Sequence, residues 1–190
     1  MHGRVCKMMN KISRSRYPPR KFLVRAHSTR ATRGLLFVGD AKFTCSLGRS
    51  GLRARKREGD GATPIGIWTL VEVLYRADRV GRPRTRLAVR AIKPADGWCD
   101  AVGDRNYNRG VSHPYPVSAE RLWRHDHVYD LIVVLSHNRR PRVQGFGSAV
   151  FMHLARPGFT STEGCVAMAE RDLRLLLAHT DRRSQLVIAA

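Results

Sequence analysis

The chain lacks any run of about 18 consecutive apolar residues, so no segment has the length and apolarity of a membrane-crossing helix. Its basic N-terminus also lacks the ~7–15-residue apolar stretch of a secretory signal. Cysteine is sparse. Cys6, Cys45, Cys99 and Cys165 form no C-x-x-C pair, which excludes a disulfide-dense mini-fold and the common zinc-ribbon spacings. Free thiols are expected, with a Cys45–Cys99 bridge left open for an oxidising compartment. Acidic residues are scarce too, and absent before Asp40. Residues 1–60 hold 16 Lys/Arg against 3 Asp/Glu, and the remaining 130 hold 19 against 12. A formal charge of +20 attracts polyanions, whether nucleic acid, anionic lipid or acidic envelope polymers, but fits a solvated basic tail equally well. No internal repeat is present, which excludes a solenoid. At 43% hydrophobic, 190 residues suffice for one ordinary core.

The patterning is that of strands. Residues 1–20 read as a basic flexible tail carrying Pro18-Pro19, and 21–190 as a single domain. Phe22–His27, Gly34–Gly39 and Lys42–Gly48 read as three short strands, the last two joined by a Gly39-Asp40 hairpin, and so as an antiparallel sheet. Arg49–Gly61 is a Gly- and charge-rich loop too polar to bury, closed by Thr63-Pro64-x-Gly66 before a strand at Ile67–Tyr75. Leu87–Ile92 is a further strand. Asp96–Asp100 and Asp104–Arg109 form an irregular segment of aromatic and hydrogen-bonding residues, the composition of a substrate-lining loop or of a loop packed over a sheet by Trp98 and Tyr107. Ser118 caps a short helix reaching Trp123. Tyr129–Ser136 is the best central strand, and Gln185–Ala189 the last one.

One stretch carries chemistry: GSAVFMHLARPGFTSTEGCVAM, from Gly147 to Met168. Ser148–Leu154 reads as a buried strand bearing His153 near its end. A polar loop leads to Gly164-Cys165, and Glu170–His179 then repeats leucines at helical spacing. A thiol attacks only as thiolate, and a free cysteine has a pKa of roughly 8.5. A nearby imidazole that accepts the proton creates an activated nucleophile. Glycine before the cysteine permits an unusual backbone angle and clears a path for a carbonyl, whose oxyanion the turn's N–H groups can meet. Strand histidine, loop, glycine and cysteine together make a site for acyl transfer. His137, at a strand end, is the reserve base. His153, Glu163 and Cys165 fit no common zinc motif.

The stretch resembles the catalytic motif of the L,D-transpeptidase (YkuD-domain) family: a strand histidine, a loop, then Ser-His-Gly-Cys-x-Arg. Thr63-Pro64-x-Gly66 is similar to a second family motif. The resemblance implies a mainly β fold, an L,D-transpeptidase-like β-sandwich with one or two short helices. It implies His153 as base, Cys165 as nucleophile and Gly164 as the motif glycine. Thr162 stands for the motif serine, Glu163 replaces the second histidine, and Ala167 replaces the arginine that helps hold the donor carboxylate. Arg156 is the favoured substitute cation, with Arg109, Arg139 and Arg140 as others. Tyr107, Asn108 and Arg109 are expected to contact substrate. Glu163 has a role only if it points at a histidine, since beside the cysteine it would raise the thiol pKa.

The implied reaction is transfer of a peptidoglycan stem peptide through a Cys165 thioester, with release of terminal D-alanine. The implied acceptor is an amine: a second stem, a free amino acid or a protein N-terminus. Neither metal nor organic cofactor is implied. Carbapenems are implied as acylating agents, and periplasm or cell envelope as the location, although no signal peptide is visible. Anionic envelope polymers are further candidate partners. Two rivals stand beside this reading. One is a hydrolase or amidase using the same thioester. The other is a basic module binding the envelope or nucleic acid, with a structural Cys/His pair.

Overall fold

The structure, a computed structural model, describes residues 20–190. The tail expected over 1–20 therefore lies outside the described residues, apart from Arg20, as does Cys6. The chain is mainly β, as its sequence predicts, with fourteen strands and one α-helix among the described residues.

Alternation sets the first strands. In β1 (Lys21–Ala26) Phe22, Val24 and Ala26 are buried, while Lys21 and Arg25 are exposed. Strands β2 (Arg33–Val38) and β3 (Ala41–Ser46) are joined by the two-residue turn Gly39-Asp40, with Gly39 at φ 58°, the left-handed conformation such hairpins need. The short strands β4 (Leu52–Arg53) and β5 (Thr63–Pro64) pair with each other. Next come β6 (Gly66–Tyr75), β7 (Ala88–Ala91), β8 (Asp96–Cys99), β9 (Gly110–Ser112), β10 (Ala119–Arg121), β11 (Leu131–Leu135), β12 (Phe151–Leu154) and β13 (Val166–Met168). Helix α1 (Glu170–Ala178) and β14 (Gln185–Ala189) complete the chain.

Ten-residue β6 closes the main sheet on itself. Its first half pairs with β14, and its second half lies between β7 and β11. The hydrogen-bonded order β11-β12-β13-β3-β2-β1-β14-β6 thus returns to β11. Closure leaves β7, paired only with β6, as a free edge of the main sheet, where an open sheet would present two. The first three strands are antiparallel as expected, but β1–β14, β6–β7 and β12–β13 are parallel pairs.

Strand β11 is the expected central strand and is buried on both faces. Leu131, Val133 and Leu135 join the interior core, onto which α1 packs Leu173, Leu176 and Leu177. Ile132 and Val134 point the other way, into a second cluster with Leu74, Phe151 and Trp98. A small sheet, β10-β8-β9, covers that outer face. Fully burying one such side chain is worth about 1.5–3 kcal/mol, so the outer layer is stabilised by packing and not merely draped.

Several expectations change. Ser118–Trp123 is no helix, because Ala119–Arg121 pairs with β8. Six residues are too few to repay helix nucleation against ladder bonds and a buried Leu122. Asp96–Cys99 is strand where an irregular segment was expected, and Trp98 and Tyr107 are buried as the packing alternative has it. Residues 148–150 are not strand, since Ala149 takes φ 49°. Arg49–Gly61 was expected to be solvated throughout, yet Lys56 is only 5% exposed, paired with Asp60. Cys45 and Cys99 are buried free thiols, not a bridge.

Buried Asn108 joins three segments. Its Oδ1 accepts from Trp98 Nε1 (2.9 Å) and the Ala149 N–H (3.2 Å), while Nδ2 donates to the carbonyls of His137 (3.1 Å) and Asn138 (2.8 Å). Removing it strands two buried donors and two carbonyls, each worth about 1–3 kcal/mol. Asn108→Ala is expected to lower the urea unfolding midpoint by the equivalent of roughly 3 kcal/mol or more. A loss below ~1 kcal/mol would show that water replaces the side chain.

Candidate active site

The parallel pairing of β12 and β13 builds the site. Its register sets Met152 beside Val166 and His153 beside Ala167. Because strand side chains alternate, Met152, Leu154, Val166 and Met168 enter the interior core. Phe151, His153 and Cys165 face the opposite way. Cys165, one residue before β13, comes level with Phe151, whose N–H reaches its Sγ at 3.4 Å.

The intervening loop is pinned to the segment after β3. The Thr162 N–H donates to Leu47 O (2.9 Å), and the Arg49 N–H donates to Thr162 O (2.7 Å). Thr162 Oγ1 donates to Cys165 O (2.7 Å) and accepts from the Gly164 N–H (3.1 Å), fixing the turn that carries Cys165. The Gly164 N–H is thereby withdrawn from the donors available to an oxyanion. Gly164 itself takes φ 134°, and a Cβ there would sit 2.8 Å from Ala62 O, so no other residue fits.

Cys165 and His153 line one cavity of about 430 Å³. Phe151, Trp98 and Tyr129 rings pack around them, with Tyr129 edge-on to His153 at 5.4 Å between centroids. His153 Nδ1 lies 2.9 Å from Leu154 O. A carbonyl only accepts, so Nδ1 carries the proton and Nε2 is left as the basic atom. Burial, then the nearby charges of Arg156 and Arg124, push the imidazole down to about 4. Burial, and next the negative charge of Glu120, push the Cys165 thiol up to about 12. The resting pair is therefore uncharged, and the thiol donates instead to Ala149 O at 3.2 Å. No hydrogen bond joins thiol to imidazole among the described residues.

Thr162, Glu163, Gly164 and Arg156 also line the cavity. Glu163 hydrogen-bonds to no histidine among the described residues: Arg49 Nε binds both its oxygens, at 2.8 and 3.0 Å, in an exposed pair. Tyr107, Asn108 and Arg109, expected at the substrate, do not line the cavity. Tyr107 is buried and donates to Glu58, Asn108 is a packing clamp, and Arg109 is exposed. Arg139 and Arg140 lie elsewhere, Arg139 3.8 Å from Glu72. The reserve base His137 is tied through Nε2–H to Phe146 O (3.0 Å) and lies off the cavity wall.

Lys56, Glu120, Arg124 and Tyr129 are among the lining residues that the sequence reading missed. Arg124 holds Asp126 with Nε and Nη2, both at 2.7 Å, and Arg156 Nη2 lies 3.7 Å from the same carboxylate. Two guanidiniums thus share one aspartate and leave positive charge at the cavity. No pattern in the chain announces this, because residues 124–126 lie in a loop that only the fold brings to residue 156. Among the described residues no three His, Cys, Asp or Glu side chains group as metal ligands.

The depressed imidazole makes a pH prediction. Above pH ~6.5 neither folded nor unfolded His153 is protonated and full stability is present; as pH falls towards 4 the unfolded chain takes up a proton that the fold excludes. The loss is about 3 kcal/mol, complete below pH ~4. The urea midpoint of the wild type should fall between pH 7 and 4.5 more steeply than that of His153→Gln. Parallel slopes would show that the imidazole is not buried as described.

No curated protein and no solved structure was found to match the chain. A family model does: that of the L,D-transpeptidase catalytic domain (YkuD), over residues 26–188. The paired strands, the glycine turn and the thiol–imidazole cavity all fall inside that span, and the chain belongs to the L,D-transpeptidase catalytic-domain family.

Proposed function

We propose that the protein is an L,D-transpeptidase of the cell envelope, taking a peptidoglycan tetrapeptide stem as acyl donor and an amine as acceptor. The carrying observation is the Cys165 thiol and the His153 imidazole in one cavity, with Nδ1 of the imidazole committed to Leu154 O.

The chemistry follows from the resting state. The donor's amide carbonyl, between an L-centre such as diaminopimelate and the terminal D-alanine, comes to rest beside Sγ. The S–H leaves Ala149 O and gives its proton to His153 Nε2 as sulfur attacks. An imidazole held near 4 is a weak base towards a thiol near 12, so free thiolate never accumulates. Transfer has to be concerted with attack, where charge passes to the carbonyl oxygen. Collapse breaks the C–N bond, His153 returns the proton to the departing nitrogen, and D-alanine leaves a thioester on Cys165. An amine then attacks the thioester and its proton passes back through His153 to sulfur. Water in the same position gives hydrolysis.

The donor carboxylate needs a cation, and Ala167, 1% exposed, offers none. Arg156 and Arg124 supply the charge, each retaining N–H groups not engaged with Asp126. A charge-assisted hydrogen bond is worth about 1.5–3 kcal/mol, so Arg156→Ala should lower donor kcat/KM by roughly tenfold or more. Unaltered donor kinetics would transfer the role to Arg124.

Cys165→Ala should abolish both D-alanine release from a soluble tetrapeptide and the carbapenem adduct seen by intact mass. Cys45→Ala and Cys99→Ala should keep both. Turnover surviving in Cys165→Ala would end this reading. His153→Asn should slow carbapenem acylation by roughly 10²–10⁴-fold. Protonation of the imidazole should inhibit the wild-type enzyme only as pH approaches about 4. Inhibition setting in near pH 6.5 would mean that substrate entry rehydrates the histidine.

A further inference from the structure

Glu120 is a carboxylate in the cavity wall without a cation. It sits on β10 opposite Trp98, and its Oε1 accepts the Tyr129 hydroxyl at 2.7 Å. Its carboxylate makes no other hydrogen bond and no ion pair among the described residues. The three cations that line the cavity are each claimed by another acid: Lys56 by Asp60, Arg124 and Arg156 by Asp126. Another of the cavity-lining carboxylates, Asp100, has its Oδ1 buried with no hydrogen-bond partner. The groups that bear on Glu120 are Tyr129, Arg124, Asp100 and Asp126. Burial holds its pKa above the ordinary carboxylate value; the Tyr129 hydroxyl and Arg124 oppose the rise, and Asp100 and Asp126 add to it. An unpaired carboxylate out of water carries a desolvation cost that an incoming cation offsets.

We propose that Glu120 receives a substrate ammonium group and delivers the acceptor amine to the Cys165 thioester. This rests on the acyl-transfer reading above. At neutral pH an alkyl amine is mostly ammonium, attracted to the carboxylate but unable to attack. It becomes a nucleophile by passing one proton to Glu120, a base sited in the same cavity as the thioester. The nitrogen lone pair then forms the C–N bond as the C–S bond breaks. The second N–H proton travels through His153 to the Cys165 sulfur, and Glu120 afterwards releases its proton to water. Cavity and reacting thiol are shared, so the donor's own ammonium is the other source of the same charge.

Glu120→Gln tests this, because the amide oxygen still accepts from Tyr129. Transfer is measured from a tetrapeptide donor acetylated at its amines to free diaminopimelate, and D-alanine release is followed from the acetylated and the unacetylated donor. In parallel, alkylation of Cys165 by iodoacetamide is followed by peptide mass. Transfer to diaminopimelate is expected to fall roughly ten- to hundredfold, the worth of a charge-assisted pair. Alkylation is expected to rise, because the negative charge that opposes thiolate formation is gone. Structural damage would also expose the buried thiols Cys45 and Cys99, whose alkylation is expected to stay at the wild-type level. Transfer equal to wild type overturns the proposal, as does a fall in both readouts together. A loss confined to D-alanine release from the unacetylated donor also overturns acceptor delivery and assigns the carboxylate to the donor's ammonium. Wild type that releases D-alanine from neither donor defeats the acyl-transfer reading itself, while the alkylation readout still reports Glu120 acting on the thiol.

Discussion

Desolvation of one thiol and one imidazole is the constraint from which the site's other features follow. Both groups are buried against aromatic rings, and the imidazole meets a backbone carbonyl where some triads place a carboxylate. Nothing nearby stabilises an imidazolium strongly enough to offset its lost hydration, so the pair rests uncharged. A neutral pair needs less electrostatic support than a thiolate–imidazolium pair and gives up less to stray electrophiles. It also leaves the energy of charge separation to the moment when a carbonyl is present to take the charge.

Keeping a reactive thiol in that state requires a rigid frame, and the frame is mostly backbone. Ala149 holds a left-handed φ of 49°, a strained conformation for a residue with a Cβ, so that its carbonyl meets the thiol. The strain is held in place by Asn108, which binds the Ala149 N–H and two other segments, at Trp98 and at His137-Asn138. Asn108 thus acts on the Cys165 thiol through the single residue Ala149, without lining the cavity. On the other side Lys56 is buried beside Gly164 with Asp60 as its partner, a cation whose field lowers the thiol's proton affinity against the dominant effect of burial.

How much of this was legible in the sequence depended on whether a feature was local. The hairpin at Gly39-Asp40, the strand at Gln185–Ala189 and the helix from Glu170 follow from turn chemistry and periodicity within a few residues. The family followed from Gly164-Cys165 and His153, which lie on one short stretch. The failures were non-local. Ser118–Trp123 has helix-compatible residues, and only β8 alongside makes it a strand. Tyr107 and Asn108 look like substrate ligands because buried clamps and binding loops use the same residue types. Lys56 reads as solvated until Asp60, four residues on, is folded over it. Glu120, Arg124 and Tyr129 belong to segments with no motif at all, and only β10 of the outer sheet and the loop after it carry them to the cavity.

The replacement of the motif arginine has a physical reading in the same terms. Ala167 sits on β13 between His153 of β12 and Ser46 of β3, all three buried. A guanidinium there would lie directly beside the His153 imidazole and lower its basicity further. With the position occupied by a methyl group, positive charge reaches the cavity from loops, through Arg124 and Arg156 bound to Asp126. Both arginines still depress the imidazole, but Asp126 opposes them. A carboxylate arriving at these arginines would add a second negative charge near His153. Under the proposed reaction, donor binding would therefore raise the basicity of the imidazole in the very complex that needs it, which couples recognition of the carboxylate to activation of the thiol.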